Sequence, residues 1–391
     1  MRRVTEWFAV RGIASVALAA AAMSFASCSD GLVPEVQGIG LAPSEMGWRN
    51  GLLNRDDRWS ITGVDMPSVY EFPSGARINI FGKGFQDGDS IRFAPLEEGK
   101  LVSFFPACFP DRASVLMPEG FPDGGYEVQI RRKDSVAVLG IADFKTDNSL
   151  VLRPYGVVAH RGCTLGGVPE NSLASLRKAV GMGLYGSEFD VWITTDGVPV
   201  IHHDPFLEWD GKRIEDMSLK EVRSYKLKNG ESVPTLDEYL AAGAESRYTR
   251  LVLEVKEHSS LDNTLRAVEA SLAAVKKYKL EAVTDYISFS YEACARILES
   301  NPPGLVGYLG GNRSFLQAVA AGCTMTDCFI THYTESPGRV SQYEDAGAVT
   351  NVWTVDTDAM LSWSSGHGID LVTTNRPDRA LNYYPHKYVE L

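Results

Sequence analysis

The sequence predicts an α/β protein, a TIM-type (β/α)8 barrel preceded by a small all-β sandwich. Three observations predict it. From Tyr155 onward, eight short apolar runs alternate with helical stretches, the signature of βα units. Those repeats fill about 235 residues, the usual size of such a barrel. Between Ile61 and Phe144, by contrast, short alternating runs are separated by Gly-rich turns, as in a sandwich. The expected boundaries are 61–145 for the sandwich and 155–391 for the barrel.

The eight barrel strands are expected at Val157–His160, Glu188–Thr194, Leu251–Lys256, Tyr286–Ser290, Leu305–Leu309, Phe329–His332, Val352–Val355 and Asp370–Thr374. Helices are expected from Asn171 to Met182, with Asn171 as N-cap, from Thr235 to Ala242, opened by a capping box, and from Leu261 to Tyr278. An open doubly wound sheet is the competing fold, but no Gly-rich phosphate loop follows the first strand. In the sandwich, Arg77–Phe81, Ser90–Phe93 and Tyr126–Ile130 alternate around the turn-rich stretches Gly82–Asp89 and Asp123–Gly125. The phrases Gly82-Lys83-Gly84-Phe85, Gly88-Asp89 and Gly125-Tyr126 resemble IPT/TIG immunoglobulin-like domains. Such a domain implies a spacer or a binding module.

Residues before Ile61 read as targeting and tether. Arg2 and Arg3 precede an apolar run from Ile13 to Phe25, too short to span a membrane comfortably and long enough for a signal peptide. Ala26-Ser27-Cys28 resembles a bacterial lipobox. The resemblance implies cleavage before Cys28 and its lipidation (residues 1–28), then a tether over 29–60. The expected location is an exported lipoprotein anchored by acyl chains to a membrane, on its periplasmic or cell-surface face. Five cysteines remain, an odd number with no CxxC pair, which argues against a structural zinc.

The 391 residues are 44% hydrophobic and 23% charged, with a formal net charge of −12. That balance excludes nucleic acid as a general partner, because phosphate backbones need a basic face. A small anionic substrate remains open, since a bound metal and a few cations reverse the sign locally.

Barrel active sites lie at the C-terminal ends of the strands. There the sequence places His160-Arg161, Glu188, Asp190, Glu254 and Lys256. Alternation points Glu188 and Asp190 the same way, and likewise Glu254 and Lys256. A two-residue turn at Asp196-Gly197 would set Asp190 opposite His203. Three carboxylates on one rim repel each other unless a cation sits among them, and hard Ca²⁺ or Mg²⁺ takes such oxygen ligands.

These residues sit within a longer series of motifs: His160-Arg161-Gly162, Pro169-Glu170-Asn171-Ser172, Glu188-Phe189-Asp190-Val191, Thr195-Asp196-Gly197, His203-Asp204, Val233-Pro234-Thr235-Leu236, Leu253-Glu254-Val255-Lys256 and Val352-Trp353-Thr354-Val355. In that order the chain resembles the glycerophosphodiester phosphodiesterases from Tyr155 to Asp378. The resemblance implies a hydrolase of glycerophosphodiesters. His160 and His203 would be the general acid and base, and Glu188, Asp190 and Glu254 the ligands of one divalent cation, Ca²⁺ or Mg²⁺. Arg161 and Lys256 would face the phosphate. One departure is Asn375, where the family often has aspartate; that position is expected to serve the barrel terminus and not the chemistry. Glu170, Trp353 and His332 are further candidates, for bracing the site or touching substrate. His202 is expected to be structural, and His258, His367 and His386 to lie at the surface. Two alternatives accompany this reading. One is a phospholipase-type phosphodiesterase acting on intact lipid or other headgroups. The other is a binding lipoprotein that captures phosphodiesters or glycans without turnover.

Overall fold

Alternation along each strand decides which side chains enter the barrel and which meet the helices. The computed structural model describes residues 61–150, 153–208, 211–246, 248–387 and 389–390. The expected signal peptide, Cys28 and tether lie outside them. Among the described residues, no helix is long and apolar enough to cross a membrane.

The sandwich comprises β1 (Thr62–Asp65), β2 (Val69–Phe72), β3 (Arg77–Lys83), β4 (Ser90–Pro95), β5 (Val102–Phe104), β6 (Ala107–Cys108), β7 (Arg112–Leu116), β8 (Gly124–Arg132) and β9 (Ser135–Thr146). One sheet runs β1-β3-β7-β6 and the other β2-β9-β8-β4-β5. Ile78, Ile80 and Val115 of the first close on Ile91, Phe93, Val128 and Phe144 of the second. Phe93 packs edge-on to Phe144 and Phe121, with centroids 5.2 and 5.4 Å away. Each such ring is fully or nearly buried, stabilising the fold by roughly 1.5–3 kcal/mol.

The barrel strands are β10 (Gly156–Ala159), β11 (Gly186–Ile193), β13 (Arg250–Val255), β14 (Thr284–Ser288), β15 (Val306–Tyr308), β16 (Met325–Phe329), β17 (Val349–Trp353) and β18 (Leu371–Thr374). They pair in parallel around the ring, and β10 meets both β18 and β11 to close it. The short β12 (Pro199–Ile201) hangs antiparallel on β11. Val158, Val252, Ile287, Met325, Val349 and Leu371 form a plug inside the ring. Two residues further along the same faces come His160, Glu254, Asp327, Asn351 and Thr373, so the filling turns polar toward the C-terminal mouth. The intervening Phe189, Val191, Leu251, Leu253 and Val255 pack outward with the helices.

All eight expected strands exist, but the sixth is displaced. Met325–Phe329 is the strand, and Ile330–Thr334 is a helical turn that buries Ile330 and Tyr333. The helix expected from Asn171 is Leu173–Gly181, and its N-cap is Ser172. The capping box at Thr235 and the helix Leu261–Tyr278 form as expected.

The sandwich and barrel share a seam. Arg112 is fully buried there. It donates to Gly183 O at 2.9 Å and Tyr248 Oη at 2.8 Å, and packs against the rings of Phe109 and Tyr248, which also touch each other. The C-terminal β19 (Val389–Glu390) adds antiparallel to β3, and Asn79 Nδ2 donates to Lys387 O at 2.5 Å.

Candidate active site

Glu188 and Asp190 project inward from β11 and Glu254 from β13. All three are buried, each offering an oxygen within 4.8 Å of the others. Their neighbours differ. The backbone N–H of Arg161 donates to Glu188 Oε2 at 2.7 Å, while Glu188 Oε1 is buried without a hydrogen-bond partner among the described residues. Lys256 Nζ lies 2.9 Å from Glu254 Oε1 and 3.2 Å from Asp190 Oδ1. Lys256 thus pairs with two of the three carboxylates. Asn171 holds Asp190 twice: its Nδ2 donates to Asp190 Oδ2 at 2.7 Å, and its Oδ1 accepts from Asp190 N at 3.1 Å.

Three acids this close cannot all ionise unaided. Burial first, and then repulsion from Asp190 and Glu254, holds Glu188 well above the usual carboxylate range. Burial and Asp190 push Glu254 up to about 8. Burial acts the same way on Asp190, but Lys256, His203, Asn171 and Arg161 outweigh it and hold that carboxyl low. Buried oxygens with spare lone pairs and excess negative charge suit a hard divalent cation. Glu188, Asp190 and Glu254 would be its ligands.

Arg161 turns away from β10 in the left-handed region, φ 54°, followed by Gly162 at φ 78°. A Cβ at Gly162 would stand 2.3 Å from Ser175 Oγ, so only glycine lets the strand end this close to the helix Leu173–Gly181. The turn aims the Arg161 guanidinium at Glu170 Oε1, 3.0 Å from Nη1, and leaves Nε 4.0 Å from Asp190 Oδ2. Glu170 thus braces Arg161.

The hairpin bringing His203 differs from expectation. Ile193 pairs with Pro199 and Val191 with Ile201, so His202, not His203, stands across from Asp190, its N–H donating to Asp190 O at 3.1 Å. The cause is a longer turn. Gly197 at φ 78° and the Thr194 hydroxyl, which accepts from Val198 N, build a three-residue loop in place of a two-residue one. Past β12 the chain leaves the ladder. His203 there contributes to lowering Asp190, its Nδ1 is 2.8 Å from Asp204 Oδ1, and Trp192 Nε1 donates to its carbonyl.

His160 ends β10, and burial, then Arg161, holds its pKa below the ordinary histidine value. Its Nδ1 lies 2.9 Å from Asn375 Oδ1. Asn375, expected to serve the barrel terminus, thus reaches one of the candidate site residues. The departure from aspartate was the available signal, but its partner Asp356 could not be read from sequence. Trp353 sits at the mouth with the exposed Phe289 and Phe329 packed edge-on against it, centroids 5.8 and 5.3 Å away. His332 does not join the site. It stacks on Tyr343, with Nε2 2.6 Å from Tyr343 Oη and Arg339 donating to its carbonyl. His258 is also buried, not superficial, and its Nε2 accepts from Ile193 N at 3.0 Å. His386 is largely covered beside Asp111.

Comparison with known proteins bears on the fold and the family. Residues 160–379, more than half of the chain, match the model of the glycerophosphoryl diester phosphodiesterase family. The glycerophosphodiester phosphodiesterase of Caldanaerobacter subterraneus subsp. tengcongensis is 25% identical over 239 residues, 58% of this chain and 96% of that one. A crystal structure of a glycerophosphodiester phosphodiesterase from Parabacteroides distasonis is 34% identical. It covers 59% of this chain and 97% of its own, with a TM-score of 0.56. An Oleispira antarctica phosphodiesterase, solved in complex with the product sn-glycerol-3-phosphate, is 25% identical. It covers 59% and 96%, with a TM-score of 0.53.

Proposed function

The chain belongs to the glycerophosphoryl diester phosphodiesterase family, and from that premise we propose that it hydrolyses glycerophosphodiesters to an alcohol and glycerol phosphate, using a divalent cation on Glu188, Asp190 and Glu254. The observation that carries the proposal is the buried carboxylate trio with Arg161 and two histidines about it. A doubly charged ion there would relieve the repulsion that raises Glu188 and Glu254, and would give the unpartnered Glu188 Oε1 a partner. When bound, it supplies charge stabilisation to the phosphate oxygens as negative charge builds.

The chain's own groups do the rest. Arg161, braced by Glu170, offers the planar fork that suits two phosphate oxygens at once. Lys256 keeps Asp190 ionised. The glycerol hydroxyl beside the ester attacks phosphorus while one of His160 and His203 takes its proton. The other protonates the departing alcohol as the P–O bond breaks. Water then opens the cyclic phosphate with the histidines' roles reversed. The product held by the Oleispira antarctica relative, sn-glycerol-3-phosphate, is the kind of glycerol phosphate this reaction would release.

A second reading, an acylated substrate, draws on one observation. Phe289 and Phe329, 37% and 47% exposed, flank Trp353 and make one side of the mouth apolar. One experiment addresses both. Choline release from glycerophosphocholine and from its acylated counterpart is followed with Ca²⁺, with Mg²⁺ and with EDTA. Release should require a metal, and His160→Ala and Glu254→Ala should each lower it on the order of 10²–10⁴-fold. Folded protein releasing nothing with any metal would overturn the proposal. Faster turnover of the acylated substrate would favour the second reading.

A further inference from the structure

Asp356 follows β17 and Asn375 follows β18, so the ends of three adjacent strands bring them to His160 on β10. Asp356 collects three donors. Asn375 N gives to its Oδ1 at 2.8 Å, Thr374 Oγ1 to the same oxygen at 3.0 Å, and Asn375 Nδ2 to its Oδ2 at 2.8 Å. An ionised carboxylate accepts hydrogen bonds and gives none. The Asn375 amide must therefore turn its NH2 to Asp356, which leaves its oxygen for His160. An amide oxygen only accepts, so the hydrogen of the 2.9 Å contact belongs to His160 Nδ1. In the neutral ring the lone pair is then on Nε2.

We propose that Asp356, acting through Asn375, fixes His160 as the Nδ1–H tautomer and thereby makes it the group that takes the proton from the attacking hydroxyl at Nε2. The tautomer follows from the hydrogen bonds alone; the catalytic step rests on the phosphodiesterase reading above. Asp356 and Asn375 are positioning residues, since neither is argued to touch the substrate.

The choice of an amide has a physical reason. It passes orientation from Asp356 to the ring without placing a negative charge beside it. An aspartate at 375 would set two carboxylates face to face and would draw a proton onto His160. With the amide, burial and the nearby Arg161 guanidinium outweigh the Asn375 hydrogen bond and the charges of Asp190 and Glu170, and the ring stays neutral and able to accept. His203 has the opposite arrangement, with the Asp204 carboxylate 2.8 Å from its Nδ1 and no amide between them. Two histidines with one neutral and one anionic partner suit a base and an acid respectively.

The test is ¹⁵N NMR of the full chain labelled at histidine, with His160 assigned by its loss in His160→Gln. The expected wild-type signature is a protonated Nδ1 and an unprotonated Nε2. Asp356→Asn keeps an oxygen for Thr374 and Asn375 N but presents an NH2 to the Asn375 side chain. The amide must then flip, and the ring should switch to Nε2–H. Its kcat should fall on the order of 10²–10⁴-fold, the contribution of a placed acid or base, with KM little changed. Asn375→Ala enforces neither tautomer and should lose less. An Nε2–H ring in the wild type would overturn the proposal, and so would Asn375→Ala losing as much kcat as Asp356→Asn. If the wild-type ring is Nδ1–H but His160→Ala keeps full phosphodiesterase activity, the reading of the site fails and the tautomer lock stands.

Discussion

Asn171 shows how a residue legible as one thing in sequence does another in space. As an asparagine ahead of a helical run it reads as an N-cap, and Ser172 takes that role instead. Asn171 sits at φ 53°, where asparagine is among the few tolerated side chains, with its N–H donating to Arg161 O at 2.9 Å. That conformation lets its amide hold both the backbone and the carboxylate of Asp190. Outer partners of this kind typically govern 10–100-fold in metal affinity. Asn171→Ala should therefore weaken Ca²⁺ or Mg²⁺ binding by about that factor and cost roughly 1–3 kcal/mol for the polar groups left unpaired. Asn171→Gly keeps the backbone comfortable and removes only the hydrogen bonds. Metal titration calorimetry and chemical denaturation of both variants separate the two effects. A glycine variant that binds metal as tightly as the wild type would show that the amide contributes nothing to the site.

At the scale of the element, legibility tracked how local the determining signal was. The strands whose outward faces are apolar, such as β11 and β13, were readable, because the alternation of apolar outward and acidic inward residues is written in neighbouring positions. The capping box at Thr235 was readable for the same reason. The strand β16 was not, because Asp327 on its inward face and Thr326 on its outward face are buried polar residues that look like loop, while Ile330 to Tyr333 look like strand. The hairpin register slipped by one residue because the Thr194 hydroxyl completes the turn, a bond that spacing cannot reveal. The carboxylates could be found from strand ends alone, whereas Asp356 reaches His160 only through the closure of the ring.

The buried Asp327 that obscured β16 also makes a prediction. Burial pushes its carboxyl up to about 7, against a partial offset from the Asn351 amide at 2.9 Å. The folded value lies above that of the unfolded chain, near 3.9. Below about pH 4 both states hold the proton and no penalty exists. As pH rises to about 7 the unfolded chain ionises while the fold keeps its proton, so the fold loses stability at up to about 1.4 kcal/mol per pH unit. Above that the penalty is constant. Asp327→Asn removes the titration and keeps an acceptor for Asn351, so its gain over wild type should grow from pH 5 to pH 7 and then level off. Urea unfolding in EDTA across that range measures it. A gain independent of pH would contradict the burial argument.

For the whole molecule, the question is whether sandwich and barrel stand or fall together. Interfaces between domains of one chain are commonly polar and permit relative motion. The seam here has two features that oppose it. Arg112 is a buried cation whose partners, Gly183 O and Tyr248 Oη, belong to the barrel segment while Phe109 and Asp111 belong to the sandwich. The chain also returns after the barrel to add β19 to the sheet edge at β3. Opening the seam takes Arg112 from the Gly183 carbonyl, the Tyr248 hydroxyl and the face of the Tyr248 ring, and these contacts oppose separation. Wild-type protein should unfold in one calorimetric transition. Arg112→Ala removes the hydrogen bonds to the Gly183 carbonyl and the Tyr248 hydroxyl and the guanidinium packed on two rings. It should lower Tm and split the transition, with choline release below the first transition unchanged. Arg112→Met refills the volume without charge and should recover part of the loss, because apolar replacement of a buried ion is far milder than truncation. Two transitions already present in the wild type, or a Tm unmoved by Arg112→Ala, would mean that the seam holds neither part to the other.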